Sequence, residues 1–474
     1  MERKLRILIV TDSPVMPTGL AETTRLIFST LLDKYPGQYE LHQVGICHCY
    51  AVTKPLWPIY PTQAVQGPNG LRWLPEDGFG QKTYPRILAK VQPDIVFGFG
   101  EPQRVMHLCA PPERRRHKLV LYVNFDGLPV PASWFDFLKH ADLVFTKSEF
   151  AENVLCAALP DFPPDKLSYL YSPADTNRFK PISSEEKAQL RRDLLPPWMK
   201  QDGFILGWVG RNQWRKQVWV LYKVIHYLRT GGYLTCQHCE RVSTFDWDPS
   251  RRSFALNGDN VTASESRPGY KYDRCQHCGS GEIQKAEPME NVYLWLHMPD
   301  DEPQKDWPAE VLEQQFGLKR DRDIFYTAGC ASKAALPPDS MPTLYNLWDA
   351  LLYLTGGEGF GIPAWEAMCC GLPLVYTNYS SHAEFIGRGR AGLPVSGILQ
   401  PERETCIWRM IADVPQAIEA VRKLYFDREL LTQFSKNGRA FTERFSAELQ
   451  VERWHGIFQQ VWHVSHSAAP IATR

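Results

Sequence analysis

The chain of 474 residues lacks a net charge, because its 53 Lys and Arg residues balance its 53 Asp and Glu residues. No overall positive field exists to attract nucleic acid or an anionic membrane, so either partner would need a local basic patch. The sequence also lacks a run of the roughly 20 apolar residues that cross a bilayer. Its first apolar run, residues 5–10, is shorter than the hydrophobic region of a secretory signal and ends in Thr-Asp. These absences predict a soluble, cytoplasmic protein.

Two common catalytic signatures are missing as well. No Walker-type Gly-Lys-Ser/Thr string occurs, and no Ser-His-Asp arrangement can be read from the sequence. Disorder is excluded as the main state, since 44% of the residues are hydrophobic and 22% are charged. At about 150 residues per domain, the length predicts two large domains, or two domains and an insertion.

Short aliphatic runs alternate with helical patterns along most of the chain. In the first part, such runs have the composition of strands buried on both faces of a parallel sheet, at residues 5–10, 94–98, 119–123 and 143–146. Residues 20–32 have helical spacing, and a second series of strands begins at residues 204–209. The sequence therefore predicts an α/β fold with two doubly wound, Rossmann-like domains facing a cleft. In such domains, ligands bind at the carboxyl ends of the strands.

Changes in composition give the expected domain boundaries. The first domain is predicted over residues 1–182, followed by a charged, proline-containing linker at 183–203. The second domain is predicted over residues 204–445, with an insertion at 231–287. Residues 446–474 are expected to form a helix that crosses back to the first domain.

A glycine-rich string, GGEGFGIPAWEAM at residues 356–368, follows a predicted strand and opens a short helix near Pro363. Glycines at such a turn let backbone N–H groups approach a phosphate, and the helix N-terminus favours the negative charge. Glu358 in the turn can reach a sugar. Glu366, about two helical turns further on, can accept hydrogen bonds from ribose hydroxyls. The alternative is a glycine-rich turn with two unrelated glutamates.

The two glutamates with seven residues between them, inside GGEGFGIPAWEAMCCGLPLV, resemble the hallmark of the retaining GT-B glycosyltransferases of family 4, the glycosyl transferases group 1. Further segments resemble the same family, namely residues 379–385, 207–212 with Lys216, 175–181 and 17–20. The resemblance covers nearly the whole chain except about residues 230–287. It implies an acceptor-side first domain and a second domain that binds a nucleotide sugar.

The resemblance also implies a reaction. A sugar moves from a nucleotide-diphosphate donor, expected to be a UDP- or GDP-sugar, to an acceptor hydroxyl with retention of anomeric configuration. The leaving phosphate accepts the acceptor's proton on the same face of the sugar, and no catalytic metal is needed. No carboxylate pair is expected to flank the anomeric carbon as in glycosidases.

The donor site is assigned to the second domain by the same resemblance. Glu366 is expected to bind the ribose, and Arg211 and Lys216 the diphosphate. Fixed cations there would stabilise the charge that grows on the leaving group, although a solvated helix start is the alternative for both. The sugar and phosphate are assigned to a short segment of the turn, comprising Glu358 and the backbone amides of Gly359, Phe360 and Gly361.

Three residues of the first domain are further candidates. Gly19 stands in the family's glycine loop and is expected to close over the phosphates. Asp126 follows the strand at residues 119–123 and stands where many family members have a histidine near the reacting carbon. It can orient the donor sugar, contact the acceptor or cap the turn. Glu101 is a weaker candidate on the acceptor side.

Two CxxC pairs, Cys236 with Cys239 and Cys275 with Cys278, lie inside the predicted insertion. Four thiolates match a tetrahedral zinc ion with no open coordination position, so a structural Zn²⁺ site is predicted. A thioredoxin-like redox pair is the alternative. The flanking His238 and His277 are expected to face solvent. Residues 236–285 carry equal numbers of basic and acidic residues and contain five aromatic residues, so the insertion can be a scaffold or a platform that stacks an acceptor.

Other functions remain open at the level of the sequence. A sugar-nucleotide epimerase or hydrolase would use the same fold. A zinc-ribbon protein with a decayed transferase domain is a binding alternative. The acceptor can be a glycan, a small molecule or a modified nucleic-acid base reached through the insertion. The Asp-x-Asp strings at residues 246–248 and 321–323 are interpreted as chance matches to a metal-nucleotide motif.

Overall fold

A computed structural model describes residues 3–16, 18–46, 55–62, 64–67, 70–73, 77–111, 114–130, 132–248, 253–256, 274–275, 277–298, 307–327, 340–403 and 405–464. At residues 64–67, 70–73, 134, 245–248, 253–256 and 464 only the course of the backbone is described. Within these ranges the chain forms two parallel sheets with helices on both faces and three small antiparallel sheets.

The first sheet has seven parallel strands in the order β3-β2-β1-β6-β7-β8-β9. Successive side chains of β1 point alternately into two hydrophobic cores, with Ile7 and Ile9 on one face of the sheet and Leu8 and Val10 on the other. This two-sided burial explains the continuous aliphatic runs of the sequence. The elements of this part are β1 Leu5–Asp12, α1 Gly19–Lys34, β2 Tyr39–Ile46, β3 Ile59–Pro61, β4 Ala64–Gly67, β5 Gly70–Trp73, α2 Thr83–Val91, β6 Ile95–Gly100, α3 Pro102–Val105, β7 Lys118–Val123, β8 Leu143–Thr146, α4 Glu149–Ala158 and β9 Leu167–Tyr169.

The second sheet has six parallel strands in the order β16-β15-β10-β17-β18-β19. It follows α5, whose N-terminus is closed by a capping box between Ser183 and Glu186. The elements are α5 Ser184–Leu194, β10 Phe204–Val209, α6 Val218–Thr230, β11 Tyr233–Cys236, β12 Val242–Asp248, β13 Ser253–Leu256, β14 Ile283–Lys285, β15 Val292–His297, α7 Ala309–Phe316, β16 Ile324–Tyr326, α8 Ser340–Leu347, β17 Ala350–Tyr353, α9 Ile362–Cys369, β18 Leu374–Thr377, α10 Ser380–Arg388, β19 Gly392–Val395, β20 Gly397–Pro401, β21 Trp408–Ala412, α11 Val414–Phe426, α12 Arg428–Glu443 and α13 Ala447–Val464.

Strands β11 to β14 form a four-stranded antiparallel sheet, which we call the insertion lobe. The lobe leaves the second domain after α6 and returns before β15, so it joins the sheet at the amino ends of its parallel strands. It packs on α11, where the Glu419 carboxylate accepts a hydrogen bond from the Val242 amide (2.6 Å) and pairs with Arg241 (3.1 Å). The ligand-binding edge of a parallel sheet is the opposite, carboxyl edge.

Two chain segments connect the domains, and they lie side by side. The Ala174 amide donates to the Phe445 carbonyl (2.8 Å), and the Ala447 amide donates to the Ala174 carbonyl (2.9 Å). After this crossing, α13 packs against α1, and its Trp454 and Phe458 are buried in the first domain's core. The C-terminal helix is therefore part of the first domain.

The predicted α/β fold with two doubly wound domains is confirmed. Strands β8 and β10 have the predicted bounds. Strand β2 was not predicted, because its sequence YELHQVGI mixes polar and apolar residues; its buried Gln43 is satisfied by bonds with Trp57 and the Asp12 carbonyl. No helix within the described ranges is long and apolar enough to cross a membrane.

Candidate active site and cysteine cluster

The glycine-rich turn between β17 and α9 lies at the carboxyl edge of the second sheet and contacts the first domain. A Cβ atom at Gly357 would lie 2.2 Å from the Asp126 carbonyl oxygen, so only glycine permits this close approach. Gly361 caps α9 with a φ of 105°, which is a left-handed conformation that favours glycine. These glycines are therefore required by the geometry of the domain contact and of the helix start.

Glu358 forms the buried charged centre of the turn. Its carboxylate is 5% exposed and accepts hydrogen bonds from Lys216 Nζ (2.5 Å) and Arg215 Nη1 (3.1 Å). Burial alone would raise the pKa of Glu358, but Lys216 and Arg215 outweigh it and hold the pKa well below its usual range. The Glu358 amide also donates to Ser380 Oγ (2.9 Å). The carboxylate is thus ionised and fixed in place at neutral pH.

Asp126 faces the same turn from the first domain. Its Oδ1 pairs with Arg409 Nη1 of β21 at 2.9 Å, and its Oδ2 lies 3.8 Å from Arg215 Nε. Arg409 also donates to the Asp126 carbonyl (2.9 Å) and to Glu402 (2.9 Å). The carboxylate of Asp126 is therefore held between two arginines at the domain contact.

Glu366 lies in α9 and faces the first domain. The Tyr345 hydroxyl donates to its Oε2 at 2.8 Å. Burial raises the pKa of Glu366 to about 8, and the nearby carboxylates of Glu22 and Asp175 add to this, although Tyr345 and Arg178 oppose it. Arg178 itself pairs with Glu22 at 2.7 Å. Glu366 is therefore a carboxyl group that a ligand's hydrogen-bond donors would stabilise in its charged form.

Gly19 begins α1, and Thr18 caps that helix through a hydrogen bond from the Ala21 amide (3.2 Å). A Cβ atom at Gly19 would lie 3.1 Å from Ile362 Cγ1, the first residue of α9. The N-termini of these two helices therefore meet across the cleft, one from each domain. Pro17, the first residue of the predicted loop motif here, lies outside the described residues.

The structure brings together most of the predicted site residues, but not all of them. Glu358, Lys216, Asp126 and the turn at 359–361 meet at the domain contact, and Gly19 lies beside α9. Arg211 is exposed, whereas Arg215 supplies the guanidinium that bonds Glu358. The sequence analysis did not single out Arg215, which directly precedes Lys216. The 3₁₀ turn Trp214–Lys216 brings the two neighbouring side chains to one carboxylate, and residue spacing alone does not indicate this.

The sequence analysis also missed Arg409. This residue lies in β21, far along the chain from the turn, so no local pattern connects it with the site. Glu101 lies beyond the carboxyl end of β6, and its carboxylate pairs with Arg104 Nε (2.9 Å). Arg104 in turn pairs with the buried Asp12 at 2.6 Å. Glu101 is therefore part of a charged cluster at the carboxyl edge of the first sheet.

The four predicted metal-ligating cysteines converge in the insertion lobe. Their sulfur atoms all lie within 4.8 Å of one another, with Cys236 to Cys278 and Cys239 to Cys275 both at 3.6 Å. Tetrahedral zinc with Zn–S bonds of about 2.3 Å places its sulfurs about 3.8 Å apart, so the spacing fits this ion. The rings of His238 and His277 are exposed, as expected.

The Asp-x-Asp string at residues 321–323 lies away from the cleft. Asp323 precedes β16 at the amino end of the second sheet, is fully buried and pairs with Arg229 Nε at 2.7 Å. The aspartate therefore holds a helix to the sheet. The second string, at residues 246–248, lies in β12, and its side chains are outside the described residues.

Residues 333–441, which include the whole glycine-rich turn, match the family described as Glycosyl transferases group 1. D-inositol 3-phosphate glycosyltransferase from Corynebacterium jeikeium is 24% identical over 133 residues, which cover 28% of this chain and 28% of that protein. O-antigen chain mannosyltransferase B from Escherichia coli is 40% identical over 52 residues, or 11% of this chain and 14% of that one. The chain thus matches less than a third of the length of either relative.

Solved structures extend the likeness to the whole fold. Sucrose-phosphate synthase from Thermosynechococcus elongatus has a TM-score of 0.67 at 15% identity, covering 98% of this chain and 100% of its own. HepE from Anabaena, in complex with UDP and glucose, has a TM-score of 0.61 at 14% identity, covering 96% and 99%. The chain therefore has a two-domain fold of the GT-B type, and together with the family match this supports a transferase enzyme.

Proposed function

We propose that this protein is a retaining glycosyltransferase that moves a sugar from a nucleotide-diphosphate donor to an acceptor hydroxyl. The observation that carries the proposal is the ionised Glu358, fixed by Lys216 and Arg215 at the glycine-rich turn between the two domains. HepE, which has the same fold, was solved with UDP-glucose as well as with UDP and glucose. A UDP- or GDP-sugar is accordingly the proposed donor.

The donor's nucleotide is proposed to lie along α9. Glu366 is placed to accept hydrogen bonds from ribose hydroxyls, which would replace part of the solvation that its carboxylate lacks. The amides at the start of α9 and the neighbouring N-terminus of α1 at Gly19 both favour an anion. The diphosphate would therefore lie where the two helix N-termini meet.

The chemistry requires stabilisation of the charge that develops on the leaving diphosphate. Lys216 and Arg215 are fixed cations at the turn, and the carboxylates of Glu358 and Asp126 offset part of their charge. Fixed cations of this kind stabilise the transition state more than the ground state. Because protein cations and amides fill this role, we propose that no catalytic metal is needed. The leaving phosphate would accept the acceptor's proton on the same face of the sugar.

Asp126 is proposed to orient the donor sugar. Its bonds with Arg409 and its proximity to Arg215 fix its carboxylate opposite the turn that carries Glu358. A cap of its own turn would not require these two arginines from the second domain. Contact with the acceptor stays a possible additional role, because the side chain is only partly buried.

The four cysteines are proposed to bind one structural Zn²⁺, which would cross-link the insertion lobe. The thiolates of Cys236, Cys239, Cys275 and Cys278 would hold the ion and leave no position for substrate. The lobe packs on α11 at the amino ends of the second sheet. This placement supports a scaffold rather than a platform for the acceptor.

The proposal is tested by incubating the protein with UDP- and GDP-sugars, in EDTA at a concentration that removes Mg²⁺, and measuring hydrolysis and transfer to added acceptors. We expect donor cleavage with one of these sugars, and a transfer product with the donor's anomeric configuration by NMR. An inverted product would contradict the retaining mechanism. Absence of cleavage until Mg²⁺ is restored would contradict the metal-free site. Conversion of a nucleotide sugar into its epimer would favour the epimerase alternative.

A further inference from the structure

Lys147 is a buried lysine of the first domain that the proposed donor site does not use. It follows β8, and its residue is 2% exposed. Its Nζ donates a hydrogen bond to Thr23 Oγ1 of α1 at 3.3 Å. Within the part of the chain that the structure describes, no carboxylate forms an ion pair with it, since nearby Glu101 pairs with Arg104 instead. A buried ammonium without a paired anion is costly, and such groups are rare in folded proteins.

Three aromatic rings surround this ammonium. Its Nζ lies 5.0 Å from the ring centre of Phe99, 5.6 Å from that of Tyr122 and 5.1 Å from that of Phe360. The faces of aromatic rings attract a cation but provide no hydrogen-bond acceptor to satisfy its N–H groups. Burial lowers the pKa of Lys147 to about 7, and Glu101 opposes this only in part. An anion bound beside Nζ would therefore stabilise the charged form of this amine.

Lys147 lies close to the proposed position of the donor's diphosphate. Thr23 donates to the Gly19 carbonyl (2.8 Å), so the ammonium lies beside the first turn of α1. Phe360 belongs to the second domain's turn, between the two glycines whose amides are assigned to the phosphate. Lys147 thus lies between the two anion-binding helix starts, and it reaches them from the first domain.

A second polar group at the same place lacks a partner. The Oδ1 atom of Asn124, just after β7, is buried without a hydrogen bond. A Cβ atom at Gly359 would lie 3.1 Å from Asn124 Cβ, so this side chain faces the turn directly. Two neighbouring strands of the first domain therefore present incompletely satisfied polar groups to residues 359–360.

We propose that Lys147 is a third cation for the donor's diphosphate, supplied by the first domain, in addition to Lys216 and Arg215 of the second. This inference rests on the proposed function. The charges of Lys216 and Arg215 are largely offset by Glu358 and Asp126, whereas a diphosphate carries more than one negative charge. Lys147 adds a further positive charge for the phosphates. Because it comes from the opposite domain, it also couples donor binding to contact between the domains.

The test compares ligands that differ only in phosphate, using the Lys147→Met variant and the wild type. Met keeps a long apolar side chain among the three rings and removes the charge. Titration calorimetry with UDP, and ligand-observed NMR with uridine, give the two affinities. We expect the variant to bind UDP at least about tenfold more weakly, as for the loss of a charge-assisted hydrogen bond, and to bind uridine within twofold of wild type. Lys139→Met is the control, because this exposed lysine pairs with Asp136 far from the turn.

Other results would overturn the inference. Unchanged UDP affinity would mean that Lys147 does not reach the diphosphate. An equal loss for uridine and UDP would mean that the residue only supports the structure. If Lys147→Met does not fold, Lys147→Gln is measured in the same way, since its amide can still donate to Thr23. Wild-type protein that binds neither UDP nor GDP would contradict the proposed function itself, and a wild type that prefers GDP is tested with GDP and guanosine.

Discussion

Replacing Glu358 by Gln tests the charged centre of the site, because it removes one negative charge and preserves the shape of the side chain. In the wild type, this carboxylate compensates Lys216 and Arg215, which are both largely buried. Removing one partner from a buried charge cluster typically costs about 3–5 kcal/mol. For a domain of this size, each kcal/mol lowers the melting temperature by about 2–4 °C, so we expect a loss of about 6–20 °C.

A nucleoside diphosphate should reverse much of this loss. In Glu358→Gln the two cations lose their buried carboxylate partner, so the phosphates of added UDP replace the missing negative charge. Thermal melts with and without 1 mM UDP are therefore expected to show a larger stabilisation of the variant than of the wild type, whereas donor turnover falls by about 10²-fold or more. Glu443→Gln is the matched control: it removes an exposed pair with Arg439 and should cost about 1 kcal/mol or less.

The pH dependence of stability gives a second test of the charge on Glu358. The pKa of Glu358 is lower in the folded protein than in the unfolded chain, where it is about 4.3. Its contribution to stability is therefore present above that value and is lost as the pH falls towards the folded pKa. A variant as stable as the wild type at pH 7, with no added response to UDP, would refute the compensated cluster.

Three further predictions concern other parts of the molecule. Glu366→Ala should weaken UDP binding in calorimetry but leave uracil binding unchanged. Burial raises the pKa of Glu366 to about 8, so its contribution to wild-type stability should fall as the pH rises from about 4.3 towards 8. Melting curves of Glu366→Gln should lack this loss. The same pH dependence in the variant and the wild type would contradict the burial of Glu366. Elemental analysis should find about one zinc per chain. The Cys236→Ser variant should lose the zinc, and hydrogen exchange should show local unfolding of the insertion lobe while both parallel sheets stay protected. Wild-type protein that is purified without chelators and contains no metal would refute the site. Replacing residues 233–288 by a short Gly-Ser loop should preserve donor hydrolysis, and a folded deletion protein unable to bind UDP would show that the lobe contributes to the cleft.

The fold was predictable because burial on both faces leaves a strong signal in the sequence. β8 and β10 consist of apolar residues that are bounded by polar ones, so their ends could be read directly. β2 has no such signal, since Gln43 and His42 interrupt its apolar positions. Its place in the sheet depends on partners such as Trp57, which satisfies Gln43 from a separate segment.

The site was predictable where one short segment contains its chemistry. The glycine-rich turn combines its glutamates and its glycines within a few residues, and the pattern fixes their order. The contact of Arg215 with Glu358 depends instead on the backbone of the following turn, where Gln217 has a φ of 48°. The spacing of residues in the sequence does not indicate this backbone conformation. Arg409 and Lys147 reach the turn only through tertiary packing, so no local pattern marks them.

The position of α13 has a consequence for synthesis on the ribosome. Trp454 and Phe458 complete the aromatic core that contains Phe28 and Phe97, yet they are translated long after the strands of the first sheet. At usual elongation rates, the delay between the last strand of the first sheet and α13 is on the order of tens of seconds. During that time, the first domain lacks α13 and exposes an apolar surface. The nascent chain therefore offers chaperones a binding surface until α13 has been made.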